Sequence, residues 1–223
     1  MTFLELCKKL RSEAGKSGVG PVTVTDRTGI EKKIVEWTND AWIYIQNYRS
    51  DWLWMYVTSE FNTIAGIVDY TPASAGVTSP GVWDTSKFKF YKTADGKATE
   101  QFCSFISYDT WNSVYNVGVA AEGSPYLFTI SPSNNIIFVN TIDDIYTVTT
   151  PYQSGAVSLE NDADIPEMPE RFHMAIVHFA LMLLAPDQNA LELYQTGEIR
   201  FNDVMTRLQL DQLPPLTYGE PLA

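Results

Sequence analysis

Asp164-Ile165-Pro166-Glu167-Met168-Pro169-Glu170-Arg171-Phe172-His173, leading into the apolar run Met174 to Ala185, marks where a strand-rich chain turns back into helices. Pro169 can occupy the first turn of a helix, where its missing N–H costs little, and Glu170 suits the positive end of the helix dipole. The apolar residues Phe172, Met174, Ile176, Val177, Phe179, Leu181, Met182, Leu183 and Leu184 then point in nearly every direction around a helical axis. A helix of that kind must be buried on most of its sides.

Downstream, Pro186 and Asp187 break the chain and can cap a last helix reaching Leu210, with Leu191, Tyr194, Phe201, Met205 and Leu208 on its apolar side. Gly197 lies inside it, as a weak point or a place of close packing. Beyond Leu210, three prolines exclude a regular helix, so residues 211–223 read either as a disordered terminus or as an extended arm that docks its Leu and Tyr side chains on a partner.

Upstream, residues 52–165 consist of short β-branched and aromatic runs separated by Gly, Pro, Ser and Asn, the pattern of antiparallel strands and turns. The clearest hairpin pairs Tyr126–Ile130 with Ile136–Val139 around Ser131-Pro132-Ser133-Asn134-Asn135, followed by a strand from Ile145 to Thr150. Met55–Ile64 and Lys87–Tyr91 are further strands, and Tyr108–Val117 reads as a short helix or an irregular aromatic loop.

The N-terminal region is helical again. Thr2 and Glu5 have capping-box spacing, and Phe3, Leu6, Cys7 and Leu10 recur at helical intervals until Gly15. After a Gly- and Pro-containing loop over 15–27, Thr28 and Glu31 repeat the spacing. Ile30, Ile34, Trp37, Ala41, Ile45 and Tyr48 then fall on one stripe. Val35, Trp42 and Ile43 lie off that stripe, which implies a second face covered by another helix or another subunit. The expected fold is α+β: an antiparallel helical bundle formed by both chain ends (1–50 and 166–210), an inserted antiparallel β-rich domain (51–165), and an extended C-terminal arm (211–223).

The 223 residues are 45% hydrophobic and 13% aromatic, enough for a real core with Tyr and Trp to spare for interfaces. A net charge of −12 opposes any surface that grips nucleic acid, and the densest basic group, Lys8, Lys9 and Arg11, reads as the solvated face of a short helix. An acidic wall repels DNA, which suits a surface that DNA slides past. Cys7 and Cys103 are too few for a disulfide framework or a zinc cluster, so a reducing compartment is expected. The N-terminus lacks the pattern of a signal peptide, and Met174–Ala185 is too short to cross a bilayer, so a soluble, cytoplasmic protein without membrane contact is expected.

Chemical motifs mostly fail on spacing. Gly15-Lys16-Ser17 resembles the end of a phosphate-binding loop, but Leu10 stands where that loop requires glycine, and the segment follows a helix rather than a strand. His173 and His178, five residues apart, are rotated by about 140° on a helix and cannot grip one metal together. Glu170 and His173 have the spacing of a carboxylate-bridged metal site, but no second copy exists in a chain with two histidines. Asp162 and Asp164 begin like a calcium loop, which Pro166 and the lack of the required glycine interrupt. No catalytic residues, metal or cofactor are therefore expected. A carboxylate pair of glycosidase type leaves no local signature, and exposed aromatics also suit sugar binding, so a carbohydrate-binding or glycoside-degrading tail component is the alternative.

Phe3-Leu4-Glu5-Leu6 through Glu13-Ala14-Gly15, Thr23–Thr28 leading into the Trp37–Tyr48 helix, and above all Asp143-Asp144-Ile145-Tyr146-Thr147-Val148, Tyr152 and Asp164–His173 together resemble a bacteriophage head-to-tail connector. The likeness is to the adaptor or gatekeeper type called tail tubular protein A. It implies a structural virion protein of the neck, made in the host cytoplasm, that forms a homo-oligomeric ring, usually dodecameric. The ring would join a portal protein above to a tail nozzle or other tail protein below, with double-stranded DNA passing through the lumen without specific binding. It also implies a C-terminal arm along the portal, making Leu210, Leu213, Pro214, Pro215, Leu216, Tyr218 and Leu222 candidate portal contacts. Trp42, Ile43, Phe172 and Phe179 are the candidate subunit contacts.

Overall fold

The computed structural model describes residues 1–213. Its elements are, in chain order, α1 (Phe3–Glu13), α2 (Gly29–Tyr48), β1 (Tyr56–Asn62), β2 (Asp69–Tyr70), β3 (Pro80–Trp83), β4 (Lys89–Lys92), β5 (Gln101–Phe102), β6 (Ser104–Phe105), α3 (Tyr108–Thr110), β7 (Glu122–Gly123), β8 (Leu127–Ile130), β9 (Ile136–Phe138), β10 (Thr141–Ile142), β11 (Tyr146–Ser154), α4 (Met174–Leu184) and α5 (Leu191–Gln212). The class is mixed α+β, as expected. The chain divides into two compact units, one of Met1–Met55 with the chain from Ala156 onward, the other of Tyr56–Gly155.

In the helical unit, the capping box at Thr2 forms in full: Thr2 Oγ1 accepts from the Glu5 amide at 3.3 Å and Glu5 Oε2 accepts from the Thr2 amide at 2.9 Å. The next two amides, those of Phe3 and Leu4, donate to the carbonyls of Asp164 (2.7 Å) and Asp162 (3.3 Å). The acidic link therefore closes the N-terminus of α1, using backbone oxygens to satisfy donors that a helix cannot satisfy itself. Asp162 also accepts from the Val24 amide at 2.6 Å and from Thr23 Oγ1 at 3.0 Å, which fixes the loop before α2.

α2 buries Ile34, Thr38, Ala41, Trp42, Ile45 and Gln46. This face is rotated from the stripe expected from sequence: Ile30 and Tyr48 are exposed, Trp37 is half-buried, and Trp42, assigned to a second face, is in the core. Two polar residues hid the true face. Thr38 Oγ1 donates to the Ile34 carbonyl at 2.7 Å, a bond within the helix that lets a hydroxyl be buried. Gln46 gives its amide nitrogen to the Val157 carbonyl and takes the Val157 amide on its oxygen, both at 2.9 Å. Two turns earlier, Asn39 Oδ1 accepts from the Leu159 amide at 2.9 Å. The extended segment after β11 is thus bonded along α2 by side chains, and Leu159 is buried in the helical core. Residues 156–165, placed with the strands on composition, accordingly fall in the helical unit.

Thr28 stands at the N-cap of α2 but makes no side-chain capping bond, and the Glu31 carboxylate pairs with Arg27 and Arg11. Pro169 precedes a 3-10 turn, Glu170–Phe172, and regular α-helix begins only at Met174. α4 then packs against α1, α2 and α5 and buries Ala175, Ile176, Val177, His178, Ala180, Leu181 and Leu184. Gly197 is the point of close approach between α4 and α5: a Cβ there would lie 2.9 Å from both the His178 carbonyl oxygen and Met182 Cγ.

The strand-rich unit contains a five-stranded sheet in the order β1-β11-β4-β5, with β3 also pairing β11, and a four-stranded sheet in the order β2-β9-β8-β6. Most pairings are antiparallel, but β6 with β8 and β7 with β10 are short parallel pairs that the expected antiparallel domain did not include. The hairpin of β8 and β9 matches the sequence reading, with Phe128 opposite Phe138 and Asn134 in the left-handed region (φ 63°) at its turn. β11 runs to Ser154, past the end expected at Thr150. Pro151 is tolerated because β4 pairs only as far as Thr149 and β3 begins at Tyr152, so the missing N–H faces the gap between them. Its carbonyl accepts from the Asp84 amide at 3.0 Å. Aromatic packing fills the core, with Phe88 stacked on Phe128 at 4.4 Å between centroids.

Replacing Gln46 with Leu leaves the Val157 amide and carbonyl without their partner and should lower stability by about 1–3 kcal/mol in urea unfolding followed by helical signal. Gly197→Ala forces α4 and α5 apart at a cost of about 1–3 kcal/mol. Better helix propensity returns about 1 kcal/mol, so the same measurement should show a net loss of up to about 2 kcal/mol and no gain in stability.

Candidate functional site

The residues that sequence offered for chemistry are held in structural roles. Gly15-Lys16-Ser17 follows the C-terminal end of α1, the negative pole of its dipole, and the Ser17 carbonyl accepts from Arg11 Nη2 at 2.7 Å. A phosphate requires the opposite pole. His173 is buried, with Nε2 3.0 Å from the Met168 carbonyl oxygen and Nδ1 2.9 Å from the Met1 amine, which also contacts Glu170. His178 is buried on α4 at its contact with α5. Burial is the largest influence on each imidazole and pushes both pKa values below the usual histidine range.

Cys7 and Cys103 lie in different units, and burial raises each thiol to about 12, so neither supplies a thiolate at neutral pH. Among the described residues no group of three or more His, Cys, Asp or Glu side chains is placed to hold a metal ion. Asp84 is the most perturbed carboxylate, at about 2; partial burial opposes this, and hydrogen bonds from Ser86, Lys87 and Tyr56 outweigh it. This cluster ties β1 to the turn after β3.

What the molecule does offer is surface. Of the four candidate subunit contacts, Trp42 and Phe172 are only 2% and 7% exposed and belong to the helical core, so they present little side chain to a neighbour. Ile43 is half-buried. Phe179, also half-buried, stacks on Tyr44 at 4.0 Å and meets Phe201 at 5.1 Å, forming an aromatic group with the Tyr44 ring at the surface.

Of the portal candidates, Leu210 is exposed and Leu213 packs partly against the core; Pro214, Pro215, Leu216, Tyr218 and Leu222 lie outside the described residues. The end of α5 has a groove of about 420 Å³ lined by Arg171, Phe172, Val204, Arg207, Leu210 and Asp211. It brings Phe172 and Leu210 together, flanked by the ion pairs Arg171–Asp211 and Arg207–Asp203. Sequence reading missed a second kind of surface, the exposed apolar residues of the strand-rich unit, among them Val82, Phe102, Val117 and Val119. Strand alternation alone does not reveal which faces a second sheet will leave uncovered.

A family model described as SU10 adaptor protein matches residues 1–217. The chain belongs to the SU10 adaptor protein family. It is thus a phage structural adaptor protein, which bears out the connector resemblance at the level of the adaptor class. No curated protein matches the chain. Among the described residues of this adaptor, no helix is long and apolar enough to cross a membrane.

Because both histidines titrate below their unfolded value of 6.5, the unfolded chain takes up protons that the folded adaptor refuses. Their stabilising contribution is present above pH 6.5 and is lost as pH falls through the folded pKa values. The melting temperature of the helical unit should therefore be lower at pH 5 than at pH 7.5, and NMR titration should place both imidazole midpoints below 6.5.

Proposed function

We propose that the adaptor forms a ring between the portal and the tail of a phage particle, in the manner of tail tubular protein A, and that the ring is a section of the channel through which DNA passes. The observation that carries this reading is the match of residues 1–217 to an adaptor family, because it takes in both compact units rather than one shared module. The net charge of −12 supports it: an acidic channel wall repels the phosphate backbone and lets DNA move without sticking. The helical unit, with helices contributed by both chain ends, is read as an antiparallel bundle that faces the portal, and the strand-rich unit as the part directed outward or to the tail. Such a protein works by assembly rather than catalysis and resides in the virion neck. A dodecamer is the stoichiometry that the connector resemblance implies.

Portal attachment is assigned to the chain from Leu210 to Ala223. Leu210 already lines the groove at the end of α5, and the following sequence supplies Leu213, Leu216, Tyr218 and Leu222 with prolines that reduce the entropy lost on docking. Removal of residues 211–223 should abolish co-sedimentation of the adaptor with purified rings of its own portal while leaving its far-ultraviolet circular dichroism nearly unchanged. Undiminished co-sedimentation would refute the assignment of the arm.

A further inference from the structure

We infer that in the free adaptor residues 214–223 dock in the groove at the end of α5 of their own chain, a latch that keeps the arm shut until a portal competes for it. The docking stands on the helical unit alone, whereas its release by a portal rests on the arm assignment above.

The way α5 ends sets where the following residues begin. The helix stops at Gln212, and Leu213 is extended (φ −97°, ψ 148°), with its amide donating to the Gln209 carbonyl at 3.1 Å. Leu213 packs partly against the helical core, so the described chain ends lying on the helical unit, just past Leu210 and Asp211 in the groove wall. The ten residues 214–223 span about 30 Å when extended, whereas the groove wall from Leu210 back to Val204 measures about 9 Å along α5. Reach is therefore ample. A short tether also holds the segment at an effective concentration on the order of millimolar. At micromolar protein this exceeds the supply from a second copy by about a thousandfold, which commits the groove to its own chain.

The chemistry of the two partners matches. The groove joins Leu210, 83% exposed, to the nearly buried Phe172 and the half-buried Val204. Leu216, Tyr218 and Leu222 are the apolar side chains it would cover, and Pro214, Pro215 and Pro221 lower the entropy lost on docking. Glu220 is the only charged side chain of the segment. On a chain of net charge −12 the surface as a whole repels a carboxylate, but this groove presents Arg171 and Arg207, whose side chains are 62% and 63% exposed. A guanidinium has more N–H donors than one carboxylate can use, so beside their present partners, Asp211 and Asp203, either arginine can also take Glu220. Docked in this way, the arm and Leu210 shield each other, and a portal gains the arm only by emptying the groove.

The test uses the full-length chain and follows chymotrypsin cleavage of the Tyr218–Gly219 bond by intact mass, over a range of protein concentrations. The variant is Arg171→Glu with Arg207→Glu, which sets carboxylates opposite Glu220 on exposed side chains; Leu210→Asp, also exposed, is the second variant should circular dichroism show that the first does not fold. Cleavage tracks the fraction of open segments, so the variant is expected to be cut about tenfold faster than wild type, at rates independent of adaptor concentration. Equal rates in wild type and variant overturn the docking. Wild-type protection that increases with concentration overturns the own-chain assignment and gives the groove to the segment of a second copy. With purified rings of the cognate portal, the arginine variant is expected to associate faster than wild type. An unchanged association rate in a variant that is cut faster overturns the latch and leaves the docking standing. Protection of wild type together with undiminished co-sedimentation of the chain lacking residues 211–223 supports the docking while refuting the portal assignment of the arm.

Discussion

A chain that leaves a helical core at Met55 and re-enters it at Ala156 must give the returning segment somewhere to place its backbone polar groups. Here the donors and acceptors come from side chains of α2. Gln46 engages both polar groups of Val157, and Asn39 takes the amide of Leu159. The next residues repay α1 in kind, with the carbonyls of Asp162 and Asp164 closing the first turn of the N-terminal helix. α1, α2 and the returning chain are thereby fastened to each other before α4 is reached. The acidic link is a clasp between these elements.

The same arrangement explains why a strand-rich unit can be carried on a helical one without sharing its core. Each unit has its own buried cluster, one centred on Trp42, Trp52 and α4, the other on Phe88, Phe128 and Val148. Two separate cores of this kind are what allows each unit to be compact in its own right.

Much of this was legible in sequence. The capping box at Thr2, the β8–β9 hairpin and the all-round apolar character of α4 depend on short-range periodicity and turn chemistry, and they stand where they were read. The misreadings share one cause. Thr38 and Gln46 are polar, so the apolar count centred the buried face of α2 on Ile30, Ile34, Trp37, Ala41, Ile45 and Tyr48. Ile34, Ala41 and Ile45 are indeed buried, but the hydrogen bonds of Thr38 and Gln46, invisible to periodicity, let the face rotate to take in these two and Trp42 instead of Ile30, Trp37 and Tyr48. Pro151 likewise ended a strand on paper because the gap between β3 and β4 is a tertiary fact. For the candidate surfaces, burial separates what sequence could not: Leu210 is exposed and Phe179 half-buried, while Trp42 and Phe172 belong to the core and exposed apolar residues such as Val82 and Phe102 stand on the strand-rich unit.

The account stands or falls on assembly in the particle. Cryo-electron microscopy of purified phage necks, with subunits identified by fitting this fold, measures it most directly. The account predicts a closed ring of this chain between portal and tail, around an open lumen. Density showing the chain as isolated copies on the outside of the tail, with no ring beneath the portal, would contradict it.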